Sequence, residues 1–327
     1  MKALQLIKYG EIKDSLAFNE INKPSVKPKD VLIEVKAAAI NPIDKSIILG
    51  NLKSLLPIPI PSAMAYDVSG IVVEKGEDVR DFEIGDLVYS RVPQEQMGTI
   101  AEYVAVTNSA VSKKPGNISY EQAASIPLAG LTALQSLEYV GIKENDKVLI
   151  HAGSGGVGSF AIQYAKAKGA YVYTTTSTSN VQWVKALGAD RVIDYKTEDY
   201  KTIVKDADIV YDTLGKNYTA EAFEVIRQGG IVISVVGPLD EESAQMFGMT
   251  DYKLPADIAR LSNEKEATYK FIFMHPDGSH LREIKTLIED EKIKPVIDKV
   301  YPFEESIDAF LHLASGRAKG KIVIKIG

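Results

Sequence analysis

Short runs of apolar residues, broken by proline and glycine, fill the first third of the chain. KALQLI (2–7), DVLIEVKAAAI (30–40), VSGIVVEKG (68–76), DLVYSRV (86–92) and TIAEYVAV (99–106) each read as a strand, and together they predict a compact β-rich barrel or sandwich. From about Ser119 the period lengthens. The segment SYEQAASIPLAGLTALQSLEYV (119–140) is helical on both sides of Pro127, with Ser119 and Gln122 spaced as a capping box. Six strand-like runs follow, separated mostly by helical patterns: KVLIHA, YVYTTT, RVIDY, DIVYDTLG, GIVISVVG and KFIFMH. Strands alternating with helical crossovers predict a doubly wound parallel sheet. After His275 the pattern changes again, to an amphipathic helix (GSHLREIKTLIEDEKI), a strand (PVIDKVYPF), another helix and a closing GKIVIKIG. These last strands exceed what the parallel sheet needs and are expected to rejoin the first domain. The predicted organisation is a β-rich domain of residues 1–119 plus 276–327, with a domain of 120–275 inserted and a cleft between them.

The stretch HAGSGGVGSF (151–160) carries four glycines in six positions. Each costs about 0.5–1 kcal/mol inside regular structure, so the turn must need the missing side chains. Gly153, Gly155 and Gly158 spell G-x-G-x-x-G, with Gly156 and Val157 inside. The pattern alone is weak; its context is a strand before, a helical run SFAIQYAKAKG after, and a second strand beyond. That unit sets a pyrophosphate over a helix N-terminus, where unpaired N–H groups and the helix dipole favour an anion. A dinucleotide site is the reading.

Composition narrows the classes. A length of 327 residues suits two domains, and 45% apolar with 25% charged residues is ordinary for a soluble protein. The formal net charge of −6, without a basic run, argues against nucleic-acid or anionic-membrane surfaces. The chain contains no cysteine, which removes disulfides, thiolate zinc sites and cysteine nucleophiles. No secretory leader is read in MKALQLIKYGEIKDS, and no apolar stretch is long enough to span a bilayer. A cytoplasmic protein without membrane or nucleic-acid partners is expected.

Several segments in order resemble the medium-chain dehydrogenase/reductase superfamily, in its zinc-free quinone oxidoreductase and enone reductase branch. They are AAAINPIDKSIILG (37–50), PSAMAYDVSGIVV (61–73), AEYVAV (101–106), AASIPLAGLTAL (123–134), AGSGGVG (152–158) and ASGRAKGKIVI (314–324). The resemblance implies an α/β fold: a GroES-like β-rich catalytic domain with an inserted Rossmann cofactor domain. Zinc-dependent relatives bind metal through a cysteine, a Gly-His-Glu triplet and a further cysteine or acid. The triplet's place here is Ala65-Tyr66-Asp67 and the first cysteine's is near Ile43-Asp44, and tyrosine and aliphatic side chains are poor zinc ligands. His275 and His280 flank Pro276 and Gly278, and His312 stands alone, so no metal is expected.

From Gly153 through Ala189 there is no Asp or Glu, and the second strand of the turn unit runs into TTTSTSN. An acid there would bond the ribose of NAD, whereas hydroxyl donors would accept a 2′-phosphate. NADP(H) is the expected cofactor, although the same residues also make an ordinary polar turn. By resemblance, Ser177, Thr178, Ser179, Asn180 and Tyr195 surround that phosphate, with Asn180 where relatives often carry lysine. Resemblance also puts Asn41, Ser46 and Thr132 beside the nicotinamide, Ile272, Phe273 and Met274 along it, and Arg317 on the cofactor. Each has a scaffold reading as well; the trio 272–274 reads by default as a buried strand.

Without a metal to polarise an alcohol, the accessible chemistry is hydride delivery to an electron-poor carbon in a quinone, enone or enal. The resulting oxyanion needs hydrogen-bond donors, for which Tyr66, Lys45 and Ser46 are the candidates. Tyr66 either lines the substrate cleft or packs with its hydroxyl satisfied. A metal-free alcohol oxidoreductase and a non-catalytic NADPH-binding protein are the competing readings. The expected partners are a small electrophilic substrate and a second copy of the chain, paired through the apolar edge material from GIVISVVG to KFIFMH.

Overall fold

The computed structural model describes all 327 residues, which divide into two compact units, 1–131 with 275–327 and 132–274. The first crossing thus falls inside the helix Pro127–Tyr139 rather than at 119/120. The segment before it is anchored to the β-rich unit: Ser69 Oγ donates to the Tyr120 carbonyl at 2.6 Å, and the Leu128 N–H donates to Asp67 Oδ1 at 2.7 Å. Ala124 packs with Ala37, Ala39 and Val323 of the same unit. Ser119 does cap the helix Tyr120–Ala124 through the expected capping box with Gln122.

The β-rich unit is built on the eleven-residue strand Asp30–Ile40. Along its sheet the strands run Ile297–Pro302, Lys321–Lys325, Asp30–Ile40, Asp67–Lys75, Leu87–Arg91 and Val111–Lys113, with Tyr103–Thr107 also pairing to Asp30–Ile40. Closure by the C-terminus is as the sequence implies: Ile322 pairs antiparallel with Ile40, and Val323 with Ala39. A separate three-stranded sheet sets Lys2–Leu6 between Leu16–Glu20 and Ser62–Ala63. The strand Leu16–Glu20 lacks the apolar alternation that would announce it, since Leu16 alone is buried. Leu4, Ile33, Val68, Val88 and Phe310 belong to one continuous apolar core.

The other unit is a six-stranded, wholly parallel sheet in the order Arg191–Asp194, Tyr171–Thr176, Lys147–Ile150, Ala207–Asp212, Ile226–Ser234, Thr268–Phe271. Counted along the chain this is 3-2-1-4-5-6, the doubly wound order, whose switch point lies between the first and fourth strands. The central strands are apolar on both faces because crossover helices cover both: Val148, Leu149, Ile150, Val210 and Tyr211 are fully buried. One edge, Thr268–Phe271, is partly covered by its own chain. Phe271 donates its N–H to Asp240 Oδ2 at 3.2 Å and accepts from Ser243 Oγ at 3.0 Å. No helix is long and apolar enough to cross a membrane.

Candidate functional site

In the parallel-sheet unit the glycine turn sits where the strand Lys147–Ile150 meets the helix Gly156–Ala167. The three fingerprint glycines have different reasons. A Cβ on Gly153 would stand 2.2 Å from Thr174 Oγ1, and one on Gly158 would stand 2.3 Å from the Ala152 carbonyl oxygen. Both glycines therefore let the turn pack on the second strand and on the helix. A Cβ on Gly155 would meet its nearest neighbour, the Ala152 oxygen, at 3.4 Å, so the chain itself tolerates a side chain there. Its absence leaves space over the helix N-terminus, where first-turn amides lack intrahelical acceptors. The residues fit a dinucleotide pyrophosphate.

The loop after the second strand differs in part from expectation. Ser177 leads into a short turn, Thr178–Asn180, with Thr178 and Ser179 exposed. Asn180 is buried and bonded at both ends of its amide: Nδ2 donates to Ser177 Oγ at 3.1 Å and Oδ1 accepts from Trp183 Nε1 at 3.0 Å. Asn180 thus ties the loop together through one N–H and its carbonyl oxygen. Tyr195 follows the third strand, its N–H on the Thr176 carbonyl at 3.1 Å and its ring 53% exposed. Two charges here went unread in the sequence. Asp194 is held below the ordinary carboxylate value by its bond with the Thr178 hydroxyl, with Lys196 contributing. Lys196 carries its ammonium 5.2 Å from the Tyr195 ring centroid. The signal for Lys196 was its adjacency to Tyr195.

At the carboxyl ends of the central strands, Asp212 organises the switch point. Its Oδ1 accepts from the N–H groups of Leu214 and Gly215 at 2.9 and 2.8 Å, and its Oδ2 from Thr219 and Ser234 hydroxyls at 2.6 and 3.0 Å. His151 is fully buried, with Nδ1 3.2 Å from Thr175 Oγ1 and its ring edge-on to Tyr200 and Tyr218. Burial pushes its pKa down to about 4 against the pull of Asp212, leaving a neutral ring. Thr132 is buried, and its carbonyl accepts from Tyr211 Oη at 3.2 Å. Ile272, Phe273 and Met274 lie beyond the end of the last strand rather than within it. Ile272 still bonds the Ser234 carbonyl, and Phe273 meets Phe247 edge-on at 5.2 Å. In doubly wound sheets this carboxyl end is where ligands bind.

In the β-rich unit the sequence candidates meet a buried charge cluster. Asn41 precedes the helix Pro42–Ile48, and its side chain is tied to an ion pair: Nδ2 donates to Asp67 Oδ2 at 2.9 Å and Oδ1 accepts from the Lys321 ammonium. Lys321 Nζ is 3.0 Å from Asp67 Oδ2 and also donates to the Ile40 carbonyl at 3.2 Å. Asp44 accepts the Asn41 N–H on Oδ2 at 2.7 Å, while its Oδ1 is buried without a partner. Burial, with Asp67 adding to it, pushes the Asp44 pKa up to about 7 against the opposing Asn41 bond, Lys321 and Arg91. Arg91, itself buried, lies over the Tyr66 ring at 4.5 Å.

Tyr66 is 1% exposed. Burial and the neighbouring Asp44 push its pKa up, so the phenol stays protonated. Its ring packs in the apolar core beneath the Arg91 guanidinium. Lys45 and Ser46 are half-buried on the helix Pro42–Ile48, without a hydrogen bond to Tyr66. Arg317 is exposed, its N–H on Ser315 Oγ at 3.3 Å. Asp44, Asp67, Arg91 and Lys321 escaped the sequence reading as a group; the one local signal was the Asn41/Asp44 capping spacing in NPID.

These residues do not fit the zinc of the metal-dependent relatives. The two places where such ligands stand do converge, as Asp44 and Tyr66-Asp67. A cation there would face the Lys321 ammonium already seated on Asp67 and the Arg91 guanidinium over Tyr66, and a protonated phenol is no zinc ligand.

Comparison with known proteins agrees with the architecture. A family described as "Alcohol dehydrogenase GroES-like domain" matches residues 27–116, and one described as "Zinc-binding dehydrogenase" matches residues 187–324. The chain is 34% identical over 334 residues to a 2-methylene-furan-3-one reductase of Solanum lycopersicum, covering 99% of this chain and 79% of that one. Identity, length and coverage are the same for the chloroplastic NADPH-dependent alkenal/one oxidoreductase of Arabidopsis thaliana. The structure of a quinone oxidoreductase from Coxiella burnetii is similar at a TM-score of 0.88 and 32% identity, covering 100% of this chain and 99% of that one.

Proposed function

This chain belongs to the medium-chain dehydrogenase/reductase superfamily, in its quinone oxidoreductase branch, and from that membership we propose that it is an NADPH-dependent, metal-independent reductase of α,β-unsaturated carbonyls and quinones. The observation that carries the proposal is the turn at Gly155, which keeps space for a pyrophosphate where the chain itself would accept a side chain. The relatives' names supply the acceptor class: an exocyclic enone, alkenals and enones, and quinones all present an electron-poor carbon.

NADPH, when bound, supplies the hydride. The glycine turn and the helix Gly156–Ala167 hold its pyrophosphate. Ser177, Thr178, Tyr195 and Lys196 receive the 2′-phosphate, Lys196 giving the positive charge that Asn180 lacks and offsetting Asp194. Lys45 and Ser46, half-buried, donate to the oxyanion that forms on the acceptor, and the proton on carbon comes from water. Tyr66 is a positioning residue that keeps the Arg91 charge in the buried cluster.

The test is NADPH consumption with an alkenal, a cyclic enone and a benzoquinone, each repeated with NADH and after exhaustive chelation. Turnover with at least one acceptor class, faster with NADPH and unaffected by the chelator, is expected. NADPH binding without turnover across the panel would establish the non-catalytic reading, and activity lost on chelation would end the metal-independent one.

A further inference from the structure

Three side chains apart from the sites above meet at the start of the helix Gly278–Glu289. Asp277 caps that helix, its Oδ1 accepting from the N–H groups of Ser279 and His280 at 2.7 and 3.1 Å and from the Ser279 hydroxyl. These bonds fix the carboxylate and leave Oδ2 between two imidazoles, 3.7 Å from His275 Nε2 and 3.6 Å from His280 Nδ1. All three ligand atoms lie within 4.8 Å of one another. The rings are tilted by 57° with centroids 6.1 Å apart, so they converge on the carboxylate rather than stack.

From this geometry we propose that His275, Asp277 and His280 form a binding site for a divalent transition cation, with Zn²⁺ as the best match. Metal–ligand bonds of about 2.0–2.2 Å in a tetrahedron put ligand atoms roughly 3.3–3.6 Å apart. Two of the three edges are already close to that, and the third closes by rotation of His275, whose side chain is 66% exposed. Two imidazoles and one carboxylate suit zinc, cobalt or nickel; calcium and magnesium prefer an all-oxygen shell. The hydrogen bonds on Oδ1 orient the ligand from behind, as outer-shell groups do in established sites.

The site also has a location in the chain. The peptide passes from the parallel-sheet unit to the β-rich unit between Met274 and His275. The helix that carries His280 is seated in the β-rich unit through buried Leu281, Ile284 and Ile288 and the bond from Tyr89 Oη to the Leu281 carbonyl at 2.5 Å. A bound ion therefore fastens the first residue after the crossing to a fixed helix.

The test uses the tag-free full chain, stripped of metal and titrated with Zn²⁺ by calorimetry and with Co²⁺ by visible absorption. One saturable equivalent is expected, weakened at least about tenfold in His275→Ala, in His280→Ala and in Asp277→Asn, which keeps a capping oxygen. His312→Ala, whose imidazole faces Asp298 at 3.2 Å, should bind as the parent does. Zn²⁺ should also slow amide exchange across residues 275–281. No saturable uptake up to about 0.1 mM, or unchanged affinity in both His275→Ala and His280→Ala, would overturn the site.

Discussion

Replacing Asp44 by Asn should make the protein more stable, and increasingly so as the pH rises. The Asp44 carboxyl is fully buried, with one oxygen on the Asn41 N–H and the other unpartnered, among Asp67, Lys321, Arg91 and Tyr66. Its folded pKa is raised to about 7 from 3.8. The folded state therefore holds a proton that the unfolded state has released throughout that window, and stability falls as pH climbs from about 4 to about 7. Three pKa units at about 1.4 kcal/mol each give a penalty of about 4 kcal/mol, fully present above the folded pKa and relieved below the unfolded one. An amide keeps the acceptor for the Asn41 N–H and cannot ionise. The assay is urea unfolding of parent and variant at intervals from pH 4 to pH 8. Buried His151, with its pKa lowered to about 4, adds the opposite slope to both proteins and cancels in the difference. The expected outcome is a stability difference that grows by about 4 kcal/mol in favour of Asp44→Asn across that range. A difference independent of pH would show that Asp44 is ionised in the folded protein and would refute the reasoning.

Other outcomes follow from the same structure. Gly155→Ala should melt like the parent but bind NADPH at least about tenfold more weakly, whereas Gly153→Ala, meeting Thr174 at 2.2 Å, should lose about 1–3 kcal/mol of stability; equal melting of the two would contradict the assigned roles. Lys196→Gln should reduce kcat/KM with NADPH by about tenfold at low salt, spare NADH, and lose less as salt rises; equal loss with both cofactors would make Lys196 scaffold. Sedimentation at micromolar concentration should show a homodimer through the edge Thr268–Phe271, and a monomer would point to the Asp240 and Ser243 bonds as sufficient cover for that edge.

The parallel sheet was legible because buried central strands are nearly continuous apolar runs, and the strand–glycine–helix order at Gly153–Gly158 has few other uses. The strand Leu16–Glu20 was not, since one buried residue gives no periodicity. Gly153 and Gly158 were legible because their reason is local steric contact. Asn180 was placed at the phosphate by resemblance, and its bonds to Ser177 and Trp183, which depend on how the loop closes, gave no sequence signal. The Asp44–Asp67–Arg91–Lys321 cluster draws on four separate elements, and no spacing along the chain announces it. His275 and His280 read as unrelated because Pro276 and Gly278 interrupt any helical period, while it is the Asp277 cap that turns the chain and brings them together.

The closing strand Lys321–Lys325 has a consequence for the order in which the protein is made. It lies in the interior of the β-rich sheet, between Ile297–Pro302 and Asp30–Ile40, and Lys321 brings the cation that Asp67 and Asn41 bind. A ribosome therefore delivers the parallel-sheet unit as one uninterrupted segment, able to condense while synthesis continues. The earlier-made β-rich segment emerges with the partner edge of Asp30–Ile40 open and the Asp67 carboxylate without its ammonium, until residues 321–325 have been made. Non-local pairing of this kind is slow and leaves unpaired edge exposed. Chains stopped short of residue 321 should be held by chaperones or aggregate, even though their parallel-sheet unit is complete.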